Sequence, residues 1–180
     1  MTQPNAANKA TSRRFRHATM RDLPQMQKIY ARARELMAAN GNPTQWGNEF
    51  PRESVIEDDI ANQRTVLLMD TCNGHERILA QFALCPGEDP TYAHIDGAWL
   101  DDDPYVTIHR IASSGLVKGA AKDCINWCIE HYGNVRADTH PNNKAMQHVL
   151  ESNGFARCGL IQLLDRPSDT TRIAYQRHEW

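Results

Sequence analysis

No apolar run in this 180-residue chain approaches the length that a bilayer requires, so no segment reads as a membrane-spanning helix. The first dozen residues, Met1 to Ser12, are polar and rich in Asn, Ala and Thr. Lacking an apolar stretch, they read as a disordered leader and as neither a signal peptide nor a membrane helix. Charge of one sign is lacking too. Lys+Arg number 20 against 22 Asp+Glu, a formal net charge of -2, and no long basic run argues for a nucleic-acid or anionic-membrane partner. Cysteine is sparse and odd in number, with five residues at 72, 85, 124, 128 and 158 scattered through segments that read as strands and helices. A disulfide scaffold is therefore not expected, and a reducing cytoplasm is the expected setting. Internal repeats are absent.

What is present suits one globular domain, residues 13–180, with 41% hydrophobic residues. Phe15 to Ala18 reads as a strand, and Asp22 as the N-cap of a long helix whose stripe runs through Leu23, Met26, Ile29, Tyr30, Ala33, Leu36 and Met37 to a stop at Asn40-Gly41. A short helix follows at Glu53 to Asn62. The runs Thr65 to Met69 and Ile78 to Leu84, joined at Asn73-Gly74, read as a β-hairpin. A strand at Tyr105 to Ala112, a helix from Lys118 to Tyr132, a strand at Val135 to Thr139 and a helix from Asn142 to Leu150 come next. Strands at Phe155 to Leu164 and Thr171 to Arg177 end the chain. That order predicts a mixed sheet with helices on both faces.

Three polar groupings read as structural. Arg13, Arg14 and Arg16 read as the solvated start of a strand, and Asp101-Asp102-Asp103-Pro104 as a solvated turn. Cys124, Cys128 and His131 fall at helical spacing on an apolar stripe and read as core, with no metal expected.

The stretch from His109 to Phe155 carries the functional signal. A strand runs into Ser113-Ser114-Gly115 and then, past Lys118-Gly119-Ala120-Ala121, into a helix. Small residues before a helix expose N–H groups at its positive end, the backbone device that holds a pyrophosphate. Ligands of such sheets sit beyond the carboxyl ends of the strands, which places a nucleotide-bearing ligand near Ala112 to Ala121.

These residues, His109-Arg110-Ile111-Ala112, Val117 to Ala121, Val135 to His140, Asn143 and Asn153-Gly154-Phe155, resemble in order and spacing the GCN5-related N-acetyltransferase (GNAT) superfamily. The resemblance extends from about Arg14 to Arg177. It implies a central, mostly antiparallel twisted sheet of six to seven strands with a splayed parallel pair, flanked by about four helices. It implies transfer of an acetyl group from acetyl-CoA, without a metal, to a primary amine of a small molecule or peptide, by direct attack in a ternary complex, in a monomer or homodimer. Ile111, Ala112, Ser113, Val117, Lys118, Gly119, Ala120, Ala121 and Asn143 are then the cofactor-binding residues. Two positions depart from the family pattern. Leu116 stands where the loop usually carries Gln or Arg, for which Lys118 offers a replacement charge, and Leu150 stands where a tyrosine often protonates the leaving thiolate. These departures keep a second reading open, a catalytically weak acyl-CoA binding or sensing domain.

Amine acetylation needs a base, a donor to the carbonyl oxygen and a proton for the thiolate. The strand backbone near Ile111 suits the carbonyl. His109 is the first candidate base, since imidazole changes charge near neutrality; a hydrogen-bonded packing histidine is an equal reading. His140 is the second candidate, beside a capping role ahead of Pro141. Tyr132, Cys128 and Tyr175 are candidate donors to the thiolate, each also readable as core. For the acceptor, the aromatic residues Trp46, Tyr92 and Trp99 are the binding candidates, with Glu49, Phe50, Asp89 and Asp96 nearby in sequence, because ring faces and carboxylates favour a cationic amine.

Overall fold

The computed structural model describes residues 12–180. The expected leader, apart from Ser12, lies outside the described residues. Strands β1 (Arg14–His17), β2 (Thr65–Cys72), β3 (His75–Pro86), β4 (Asp96–Gly97), β5 (Val106–Ser113), β6 (Asn134–Thr139), β7 (Ala156–Gln162) and β8 (Thr171–His178) form one sheet in the order β1-β2-β3-β5-β6-β8-β7-β4. Helices α1 (Leu23–Ala39), α2 (Glu53–Ala61), α3 (Ala120–Tyr132) and α4 (Lys144–Ser152) flank it. The sheet has eight strands where six to seven are expected. The addition is the two-residue edge strand Asp96–Gly97, too short to show periodicity in the sequence, which lies antiparallel against Gly159–Leu160.

Strand β2 shows why helices cover both faces. Its run Val66-Leu67-Leu68-Met69 is buried throughout, with Val66 and Leu68 in the cluster beneath α3 and α4, and Leu67 and Met69 in the cluster beneath α1 and α2. Successive side chains point to opposite faces, so a strand apolar at every position requires cover on each side. Burial of each such Leu stabilises the fold by about 1.5–3 kcal/mol. Met26, Ile29 and Tyr30 of α1 answer from one side, and Cys124, Ile125, Cys128 and Ile129 of α3 from the other.

Several local expectations need correction. Asp22 occupies the N-cap position of α1 but makes no capping bond there. Its carboxylate accepts from Arg16 at 2.7 and 2.9 Å and from Thr19 N–H at 2.8 Å, and the Arg16 hydrogen bond, set against burial, lowers its pKa to about 2. Arg13 and Arg14 are exposed at the start of β1, as expected, and pair at the surface with Asp123 and Glu76. Asp101 is a hub and not part of a solvated turn, taking hydrogen bonds from Asn134, Gln176 and His178 across β6 and β8. His131 is exposed and stacks on Trp127, whereas Cys124 and Cys128 are core as expected.

Among the described residues, six of the seven strand pairings are antiparallel, and the one parallel pair, β5 with β6, opens the site. Strand β6 pairs with β5 at Val106, Thr107 and Ile108 and then stops, although β5 runs on to Ser113 and β6 to Thr139. Beyond Ile108 the two strands part, and their facing backbone edges are not paired with each other.

Candidate active site

A bulge sits where the strands part. On β3, Ala83 faces His109 and Gln81 faces Ala112, so Arg110 and Ile111 together oppose the single residue Phe82. Arg110 adopts φ +53°, a left-handed conformation that non-glycine residues rarely enter. Its guanidinium is clamped by both oxygens of Asp59 on α2, at 2.8 and 3.0 Å, and Asp59 also accepts from Arg64 at 2.9 Å. The Asp59 side chain is only 3% exposed, so its removal leaves two cations facing a vacated buried position. Asp59→Ala is expected to lower stability by about 3–5 kcal/mol, read as a fall in the denaturant midpoint; an unchanged midpoint would show that the bulge holds itself.

The gap opens into a cavity of about 1030 Å³. Ile108 to Ile111 and Ala137 to Thr139 form its strand walls, Ile125, Met146 and Leu150 its helical side, and the segments Pro43–Phe50 and Asp165–Asp169 its rim. The rim is tied down at Gln45, whose side chain accepts from Asn143 Nδ2 at 2.9 Å and whose carbonyl accepts from Arg166 at 3.1 Å. Asn143 also caps α4, its Oδ1 accepting from Met146 N–H at 3.1 Å. Thr139 Oγ1 is buried in this wall with no hydrogen-bond partner.

Both candidate histidines are paired with aspartates, but their free valences differ. His109 Nε2 lies 2.8 Å from Asp89 Oδ2, and both residues line the cavity. Burial pushes the Asp89 carboxyl up, yet the His109 hydrogen bond and the Thr91 N–H outweigh it and hold its pKa at about 2. An ionised Asp89 only accepts, so the proton of neutral His109 sits on Nε2. Nδ1 then keeps its lone pair; it has no protein partner and is not sequestered. In His140, Nδ1 accepts from Asn142 N–H at 2.9 Å and Nε2 donates to Asp169 at 2.8 Å, so both nitrogens are occupied and the ring fastens the Asp169 turn to the start of α4.

The depressed Asp89 pKa has a sign. A carboxyl held at about 2 against an ordinary 3.8 adds stability that is present above the ordinary value and lost as pH falls toward about 2. Asp89→Asn is therefore expected to flatten the acid loss of stability between about pH 4 and pH 2, measured by urea midpoints; an unchanged slope would contradict the pairing.

The loop before α3 is set by backbone angle and not by close packing at Gly119. Gly119 precedes α3 at φ +79°, and a β-carbon there would meet nothing within 4 Å. The residue is needed for its backbone angle, and the space before it is open. The first hydrogen bond of the α3 ladder is Asp123 N–H to Gly119, which leaves the N–H groups of Ala120, Ala121 and Lys122 ahead of the ladder. Gly115, at φ +82°, lies under Arg32, whose Nη2 would sit 2.3 Å from an added β-carbon. Arg32 thus brings a guanidinium from α1 to the loop that carries Lys118. Ala120 is buried against the core, as is Val117 in part, while Lys118 and Leu116 are exposed. Ala112 belongs to the α1–α2 core cluster, and Ser113 accepts from Arg32 at 3.4 Å.

The acceptor candidates divide. Trp46 lines the cavity but is 8% exposed and wedged between Tyr30 and Phe50, so it anchors the rim. Tyr92 and Trp99 do not line the cavity. Tyr92 donates to Asp138 at 2.7 Å and Trp99 to the Tyr92 carbonyl at 3.2 Å, in a separate cluster where the Arg136 guanidinium lies 4.0 Å over the Trp99 ring. Burial and Asp138 raise the Tyr92 pKa well above its ordinary value. The candidate thiolate donors stand apart as well. Tyr175 donates to Glu151 at 2.9 Å, with burial and Glu151 raising its pKa to about 12; burial pushes the Cys128 thiol up; Tyr132 is exposed at the end of α3. Leu150, fully buried, occupies the cavity wall. Glu49, Phe50 and Asp89 line the cavity, whereas Asp96 lies on the edge strand.

No family model matches the chain, and no curated protein matches it. Solved structures do. An acetyltransferase of the GNAT family from Streptococcus agalactiae is 31% identical, with 93% of this chain and 96% of that chain covered at a TM-score of 0.81. A GNAT-family acetyltransferase from Listeria monocytogenes, 16% identical, aligns over 93% of this chain and 95% of that chain at 0.66. A ribosomal-protein-alanine N-acetyltransferase from Brucella melitensis, also 16% identical, aligns over 92% and 99% at 0.61. The last two share the fold.

Proposed function

Because the chain belongs to the GNAT family of acetyltransferases, we propose that it moves an acetyl group from acetyl-CoA to a primary amine by direct attack, with both substrates bound at once. Acetyl-CoA supplies an acetyl group activated as a thioester. The residues present suit it. The open N–H groups ahead of α3, with Lys118 and Arg32 beside them, would hold the pyrophosphate. The unpaired edges of β5 and β6 and the partnerless Thr139 hydroxyl would serve the amides of the pantetheine arm. The side chain of Asn143 secures the rim where that arm passes.

The observation that carries the chemistry is the His109–Asp89 pair at the parting of the strands. Asp89 fixes the tautomer, and Nδ1 of His109 takes the proton that the amine nitrogen sheds as it bonds to the acetyl carbon. Backbone N–H at the Arg110–Ile111 bulge, outside the β3 register, donates to the carbonyl oxygen as it gains charge. The carbon–sulfur bond breaks and its electrons leave with the thiolate. With Leu150 in the wall, that thiolate takes its proton from water, which suits a thiol of ordinary pKa near ~8.5. His140 positions the rim.

Initial rates test the direct route. Intersecting double-reciprocal lines, and a protein mass unaltered by acetyl-CoA alone, are expected; parallel lines with an acetylated protein would overturn it. A second reading, an acyl-CoA sensing domain, draws on Leu150 and Leu116 and predicts binding without turnover.

A further inference from the structure

One buried cation in the cavity has no ion-pair partner among the described residues. Arg172, the second residue of β8, is 2% exposed, yet it lines the cavity beside Arg166. Its Nη1 donates to the carbonyls of Asp169 and Thr171 at 2.8 and 2.7 Å. Its Nε and Nη2 make no hydrogen bond among the described residues and neither is a sequestered atom, in a side chain that lines the cavity. Among the described residues, neither Arg166 nor Arg172 has a carboxylate within ion-pair distance. Of the nearby acids, Asp138 holds the Tyr92 hydroxyl and Asp169 holds His140, while Asp165 lies beyond ion-pair distance of either arginine. Burial, followed by Arg166, lowers the Arg172 pKa, and the more distant Asp138, Asp169 and Asp165 offset this only in part.

Buried arginines are ordinarily paired, because an unpaired charge in a dry site costs several kcal/mol. We propose that the acceptor amine also carries a carboxylate, as an amino acid does, and that Arg172, assisted by Arg166, binds that carboxylate. The free Nε–Nη2 edge matches the two oxygens of a carboxylate. Asp138, Asp165 and Asp169 on the same stretch of wall oppose a doubly charged group such as a phosphate. The inference rests on the acetyl-transfer reading above and adds the class of acceptor.

The test measures thiol release from acetyl-CoA with free amino acids and short ω-amino acids, each beside its carboxamide. Calorimetry with CoA present follows binding of the N-acetylated acids and N-acetylated amides. The acids should exceed their amides in kcat/KM by roughly 10- to 100-fold. That preference should vanish in Arg172→Gln and shrink in Arg166→Gln, with the KM for acetyl-CoA unchanged. If Arg172→Gln fails to fold, Arg172→Lys, which keeps the charge and loses the paired N–H edge, should cut the preference instead. Amides acetylated as well as acids would overturn the proposal and leave acetyl transfer standing. So would a preference that survives these substitutions, whereas a loss of acetyl-CoA affinity would assign Arg172 to the cofactor. If no amine is acetylated, tighter binding of N-acetylated acids than amides, lost in Arg172→Gln, supports the carboxylate site while the transfer reading falls; equal or absent binding overturns the site.

Discussion

His109→Ala is expected to lower kcat by about 100- to 10,000-fold while leaving acetyl-CoA affinity unchanged. Only Nδ1 of His109 combines a lone pair, access to the cavity and a neighbour that fixes the ring, and no other imidazole lines that space among the described residues. The acid limb of the pH–rate profile should disappear with the ring, and added imidazole should restore part of the rate. The substitution also strips Asp89 of its partner, so stability needs its own control. Circular dichroism and the denaturant midpoint separate a folded, slow enzyme from a damaged one. A folded His109→Ala protein with an undiminished rate would show that the pair is structural and that the proton leaves by another route.

Gly119→Glu should weaken acetyl-CoA binding by about 100-fold or more without unfolding the protein. Two effects act together. The carboxylate would enter the open space before Ala120 and Ala121, where it covers the N–H groups and repels a pyrophosphate. The left-handed backbone adds strain of about 1–2 kcal/mol for any residue with a β-carbon. Gly119→Asn separates the two, since asparagine tolerates φ +79° and brings no charge. It should retain most of the affinity. Calorimetric titration of both variants with acetyl-CoA is the measurement; wild-type affinity in Gly119→Glu would remove the loop from the cofactor site.

What the sequence reveals of this site is what the local backbone records. Gly119 and Asn143 can be placed because a left-handed turn before a helix and an N-cap are satisfied within a few residues. The order of strands and helices along the chain follows from apolar runs and turns in the same way, and the family resemblance adds the parting of β5 from β6. The partners that give the site its chemistry are not local. Asp89 reaches His109 from twenty positions away, in the segment that follows β3, and Asp59 reaches Arg110 from the other side of a hairpin. Charged residues show no periodicity that announces a distant partner. The αL conformation of Arg110 is likewise invisible, since nothing in its type favours it.

Tyr92 and Trp99 show the opposite error. Aromatic residues in a long connection suggest a cationic pocket, and a cation is indeed present, but it is Arg136 of β6 within the same chain. Arg136 covers the Trp99 ring and Tyr92 packs against Trp99 with centroids 5.0 Å apart, so the rings hold the connection to the sheet. Arg172 is legible only as a strand residue; its burial without an ion pair exists only in three dimensions.

Acetyl transfer itself is tested most directly by mixing the protein with acetyl-CoA and a broad panel of amines, with free thiol and N-acetylated product measured together. The structure predicts that at least one amine yields the two in equal amounts, at a rate that collapses in His109→Ala. Tight acetyl-CoA binding with no acetylated product from any amine would contradict it and leave the chain an acyl-CoA sensor.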